Sequence, residues 1–135
     1  MHANASMLSY VFFSCLLLSV QAHDCQVREI MLFTNLLIFN ARSFHFQSCL
    51  CLPIPEPGHE LSCFVEGTER LMNASVTSEA TTLQLLNRSF QTQLERKFCG
   101  QLSRSDQCQS KTKGNMKEFL TQIRKSYQEI NKSKA

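Results

Sequence analysis

Tryptophan is absent from this 135-residue chain, and it has only four glycines and three prolines. Gly58, Gly67, Gly100 and Gly114 stand singly, so no glycine-rich loop is available to cradle a nucleotide phosphate. Aspartate occurs only at Asp24 and Asp106, and neither G-x-S-x-G nor H-E-x-x-H appears. A hydrolytic or redox constellation is therefore not legible, and no enzyme is expected. His23, His45 and His59 lie near Cys25, Cys49, Cys51 and Cys63, but no C-x-x-C pair and no H-x-x-x-H gives them metal-ligand spacing. The expectation is no metal, no cofactor and no nucleic-acid partner.

One long apolar run is present, from Met7 to Val20, and it ends in Val20-Gln21-Ala22, short side chains of the kind read by signal peptidase. No Lys or Arg precedes it, only His2, which departs from the usual basic start. The run is short for a membrane span, and a charged, cysteine-bearing segment follows directly. The expected organisation is a cleaved signal peptide over 1–22 and one secreted domain over 23–135.

Cysteine is abundant. Of seven, Cys15 leaves with the signal, and Cys25, Cys49, Cys51, Cys63, Cys99 and Cys108 remain. An even count in a short secreted chain reads as three disulfides, which also support a core of this size.

Charge is uneven. From Asp24 to Arg96 there are five basic and eight acidic residues; from Lys97 to Ala135 there are nine and three. A basic C-terminal third suits an acidic partner such as a glycosaminoglycan. Because the charges are interspersed rather than blocked, a solvated, lysine-rich helix face is the reading favoured by sequence.

Four segments carry apolar residues at helical spacing. The first runs from about Asp24 to Arg42, with Val27, Ile30, Met31, Thr34, Leu37 and Ile38 on one face. Leu32, Phe33, Leu36 and Phe39 make the remainder apolar too, so this helix is either buried on several sides or meets a partner. Pro53, Pro55 and Pro57 then forbid a helix and favour an extended path. Sixteen extended residues reach roughly 50 Å, enough to cross a bundle end to end.

The second helix spans His59 to about Met72, with Gly67 costing it about 1 kcal/mol relative to Ala. After a polar break, Asn73 to Thr77, the third starts near a Ser78 cap. It carries Ala80, Leu83, Leu86 or Asn87, Phe90, Leu94 and Phe98, and ends at Gly100. A second long link leads to Gly114 and to a helix with Met116, Phe119, Leu120, Ile123, Tyr127 and Ile130. Long, short and long links in that order give an all-α, short-chain four-helix bundle with the up-up-down-down topology of cytokines and growth hormones, here with disulfides. A short ribbon joining the two long links is compatible with it. The start of helix one, the start of helix two and the end of helix three then share one end of the bundle, which gathers Cys25, Cys63 and Cys99. Cys51 is expected to arrive nearby.

Cys49-Leu50-Cys51 resembles the opening of one chemokine group, but a long apolar helix precedes it. A saposin-like fold fits poorly, because Cys108 lies well short of the C-terminus. Asn73, Asn87 and Asn131 head N-glycosylation triplets, and Asn73, in the polar break, is the best placed.

His23-Asp24-Cys25 with Arg28-Glu29-Ile30, Leu85 to Phe90 through Leu94 to Phe98, Ser62-Cys63-Phe64, and Cys108 with Met116 to Leu120 and Ile123-Arg124-Lys125 resemble the interleukin-4 and interleukin-13 family. The brevity resembles the combined interleukin-4/13 proteins of fish. The likeness covers about half the mature chain, and the interleukin-2/15/21 group shares the bundle and a helix-two cysteine.

The resemblance implies a secreted, monomeric type 2 immune cytokine acting in responses such as B-cell activation. It would pair an interleukin-4 receptor alpha type chain with a second chain to trigger intracellular kinases. The matching positions are Glu29 and Arg96 for the first face, and Gln128, Asn131 and Lys132 for the second, where the side chains depart from the family's usual Arg and Tyr. The resemblance also implies a Cys63–Cys108 bridge. Cys49–Cys51 would be strained, so Cys25 and Cys99 are each expected to take one of Cys49 and Cys51. The alternatives are an interleukin-2/15/21-group cytokine and a secreted helical antimicrobial or lipid-binding protein.

Overall fold

The computed structural model describes residues 25–40, 51–74 and 80–134. The expected signal segment, Cys49 and the Ser78 cap lie outside them.

The described elements are α1 (Val27–Asn40), β1 (Leu52–Pro55), α2 (Glu60–Asn73), α3 (Ala80–Glu95), a short 3-10 turn (Gly100–Ser103), β2 (Ser110–Gly114) and α4 (Met116–Lys134). α4 shows most simply why a helix forms here. Asn115 and Glu118 cap its start reciprocally: the Glu118 N–H donates to Asn115 Oδ1, and the Asn115 N–H donates to Glu118 Oε1, each at 2.8 Å. From there Met116, Phe119, Leu120, Ile123 and Tyr127 recur at steps of three and four, and all are buried.

α1 packs chiefly against α4 and α2 chiefly against α3, closing a short-chain cytokine bundle. β1 and β2 pair antiparallel, Leu52 with Gly114, Pro53 with Lys113 and Ile54 with Thr112, with an irregularity before Pro55 meets Ser110. Pro53 and Pro55 have no N–H, so Leu52 and Ile54 are the backbone donors of β1. Antiparallel pairing of the two links is what up-up-down-down topology requires, because they cross the bundle in opposite directions.

The core centres on Phe64. Its ring lies 5.4 Å from Phe90, 6.0 Å from Phe119 at an interplanar angle of 84°, and 6.5 Å from Tyr127. Gly67 admits this packing. A Cβ there would fall 2.2 Å from Phe119 Cζ, so the apparent helix-weakening residue is a seat for an aromatic ring.

α3 ends at Glu95, before the Gly100 stop expected from sequence. The Phe98 N–H donates to Gln93 O at 2.9 Å, the Lys97 N–H to Leu94 O at 3.3 Å, and Lys97 has φ 55°. This is a Schellman ending with lysine in the left-handed position that glycine usually takes.

Cys63 and Cys108 form a disulfide, as the resemblance implied, tying α2 to the second long link. Beside it His59 Nδ1 and Gln107 O are 2.7 Å apart, a second tie between the same two segments. Cys25 and Cys99 do share one end: the Cys99 thiol lies 3.7 Å from Cys25 O. Cys51 does not join them. Arg70, at the far end of α2, donates to Cys51 O at 2.9 Å, and Leu52 pairs with Gly114 just ahead of α4. Glu60 to Arg70 covers about 15 Å of helix axis. Cys51 thus starts the crossing instead of finishing it, which removes it as a partner for Cys25 or Cys99 in this fold.

Candidate receptor-binding surface

The apolar surplus of α1 resolves into an exposed stripe. Val27, Ile30, Thr34 and Leu37 are buried, whereas Leu32, Leu36 and Phe39 stand out at 57, 44 and 69% exposure. At 3.6 residues per turn these three fall within about 60° of arc, opposite the core. A contiguous apolar ridge of this kind marks an interaction site more often than chance exposure does.

Two flanks border the stripe. Arg124 of α4 donates to Asn35 Oδ1 at 3.4 Å, which fixes the α4 side of α1. Glu29, about 120° from Asn35 on the helix, lies on the α3 side. Arg96, exposed in the turn that ends α3, occupies the same end of the bundle as Glu29. The structure thus sets Glu29 on α1 and Arg96 in the turn that closes α3, both exposed, and neither is in the two ion pairs found among the described residues, Arg70–Glu66 and Lys97–Asp106. Gln128, Asn131 and Lys132 are exposed on the outer face of α4, with Gln128 and Asn131 nearest in arc to Arg124 and hence to α1. In arc around α1, Leu32, Leu36 and Phe39 lie between these two flanks; along the axis both groups sit at the Glu29 end, and the stripe runs from there towards Asn40. The sequence signal for the stripe was the excess of apolar residues in α1 over what one core face can take.

A buried polar cluster holds the end of the bundle under the Glu29 side. Gln93 Nε2 donates to Cys25 O at 2.9 Å, and Gln93 Oε1 accepts from the Tyr127 hydroxyl and from the Cys99 thiol, the latter at 3.0 Å. The start of α1, α3 with its closing turn, and α4 meet on this one amide. Burial, and secondarily the charge of Cys25, push the Tyr127 phenol well above its ordinary value of 10.0.

Of the glycosylation triplets, Asn73 and Asn131 are exposed. Asn87 is buried, and its Nδ2 donates to Val65 O at 3.1 Å and to Thr68 Oγ1 at 2.8 Å. A glycan on that nitrogen is incompatible with this packing. No group of three or more His, Cys, Asp or Glu side chains is placed to hold a metal among the described residues, and no described helix is long and apolar enough to cross a membrane.

Residues 7–123 match the family model for interleukin-9. Comparison with curated proteins and with solved structures returns no match. The family match supports the cytokine reading of the sequence without extending to interleukin-4 or interleukin-13, and it places the molecule among secreted signalling proteins that bind cell-surface cytokine receptors, not among enzymes. By a match to the interleukin-9 family model over residues 7–123, most of its length, the chain belongs to the interleukin-9 family.

Proposed function

We propose that this protein signals by pairing two cell-surface receptor chains across the two flanks of α1. The observation that carries the reading is the exposed stripe Leu32, Leu36 and Phe39, which runs along α1 from an end flanked by Glu29 and Arg96 on the α3 side and by Gln128, Asn131 and Lys132 on the α4 side. An apolar centre with a polar rim is the usual anatomy of a protein interface. The first flank, with Glu29 and Arg96, takes an alpha-type chain. The second, with Gln128, Asn131 and Lys132, recruits a second chain, and the intracellular kinases so brought together do the chemistry. The family match favours an interleukin-9 type of alpha chain over the interleukin-4 receptor alpha that the sequence resemblance implied.

A binding screen against interleukin receptor ectodomains, with Glu29→Lys and Arg96→Glu alongside, tests this. Each reversal is expected to weaken the alpha-type complex at least tenfold, about 1.4 kcal/mol, with helicity unchanged. Wild-type affinity in both variants would refute the first flank.

A further inference from the structure

The outer face of α4 aligns cations that the sequence shows only as interspersed charge. Lys117, Arg124, Lys125 and Lys132 fall within about 100° of arc and extend over about 22 Å of helix axis. Thr121 and Gln128 lie between them, and all but the half-buried Arg124 are exposed. Lys111 and Lys113 are also exposed, on β2, which leads into α4 through Asn115. None of the six is in an ion pair among the described residues. The acidic residues of α4, Glu118 and Glu129, both lie outside the arc, beyond Lys125, and Glu118 is engaged in capping Asn115.

We infer that this ridge binds a sulfated glycosaminoglycan. Successive cations lie about 10 Å apart along the axis, so an extended polyanion reaches all of them where a compact anion meets one or two. A single phosphate would instead call for a concave site with convergent donors, and the ridge is convex.

Lipid headgroups are the poorer match. An interfacial helix must give its apolar face to the membrane, and Met116, Phe119, Leu120, Ile123 and Tyr127 are committed to the core. Single-stranded nucleic acid is disfavoured too, since binding it uses exposed aromatic platforms and this face has none. A secreted polypeptide meets sulfated polysaccharide on cell surfaces, and because Gln128 and Lys132 also belong to the proposed second receptor flank, capture on this ridge competes with the second chain. This inference goes beyond receptor pairing.

The test is binding of the disulfide-bonded protein to immobilised heparin over a range of salt concentrations. The triple substitution Lys117→Gln, Lys125→Gln, Lys132→Gln is compared with Arg28→Gln, Arg88→Gln, Arg104→Gln, which removes equal charge from exposed positions elsewhere. The ridge triple is expected to lose about tenfold or more in affinity and to flatten the salt dependence, and the control triple to lose no more than about threefold. Equal losses would reduce the effect to net charge and overturn the site. So would absence of wild-type binding at physiological salt, or tighter capture by phosphatidylserine vesicles than by heparin. Because the readout is heparin alone, failure here leaves the receptor reading untouched.

Discussion

The hydroxyl of Tyr127 in α4 donates a hydrogen bond to Oε1 of Gln93 in α3, and the same amide reaches across to Cys25 O at the start of α1. Both side chains are buried, so the Tyr127 hydroxyl is satisfied by this amide and not by bulk water. The helix that carries the exposed stripe is thereby anchored at the end nearest Glu29.

Truncating the hub should cost more than trimming its rim. Gln93→Ala removes the acceptor of the buried Tyr127 hydroxyl and one of the donors to Cys25 O, and is expected to lower unfolding free energy by about 2–4 kcal/mol. Tyr127→Phe leaves Gln93 Oε1 still accepting from the Cys99 thiol and is expected to cost only about 1 kcal/mol. Denaturant titration of both variants measures the order, and a Tyr127→Phe loss equal to that of Gln93→Ala would contradict the shared amide.

The same phenol sets an alkaline limit. Burial raises its pKa in the folded state, so the folded protein holds a proton that the unfolded chain releases above about pH 10. The contribution is fully present below the unfolded value and is lost as pH rises from there towards the folded one. Phenolate absorbance is therefore expected to appear together with loss of helical circular dichroism. Free titration of Tyr127 in a folded bundle, near the ordinary tyrosine value, would show that the ring is not enclosed.

Gly67 and Phe119 are expected to be coupled. Ala is the better helix former by about 1 kcal/mol, yet its Cβ meets the Phe119 ring, and overpacking costs about 1–3 kcal/mol. Gly67→Ala should therefore destabilise the wild type and do so less in a Phe119→Leu background. A double-mutant cycle reads the difference. Stabilisation by Gly67→Ala in the wild type would mean that the ring does not sit there.

How much of this was legible in the sequence depended on how many faces of a segment are apolar. α4 has one apolar stripe, and Met116 to Tyr127 could be placed in the core directly. α1 is apolar almost all round: periodicity put Ile30 and Leu37 on one face and Leu36 and Phe39 off it, but could not say whether the second set is buried too, and it is exposed. In α3 the choice between Leu86 and Asn87 was open because both are inside, the asparagine through its bonds to Val65 and Thr68. The early end of α3 was hidden by a lysine, since a left-handed residue that is not glycine leaves little trace in composition. The position of Cys51 depended on the direction in which the proline strand crosses the bundle, and sequence distance alone suggested the wrong end. Glu29 and Arg96 came from a family pattern, and the structure puts them at one end of the bundle, on α1 and in the turn that closes α3.

Signalling by a variant that keeps the fold but loses the stripe is the most direct measurement. Leu32→Ser, Leu36→Ser, Phe39→Ser removes exposed apolar surface and leaves Ile30, Thr34 and Leu37 in place. Receptor phosphorylation in responsive leukocytes should fall at least tenfold, about 1.4 kcal/mol of binding, with helical content and the Cys63–Cys108 bridge retained. Wild-type potency in a folded triple variant would contradict receptor pairing across α1.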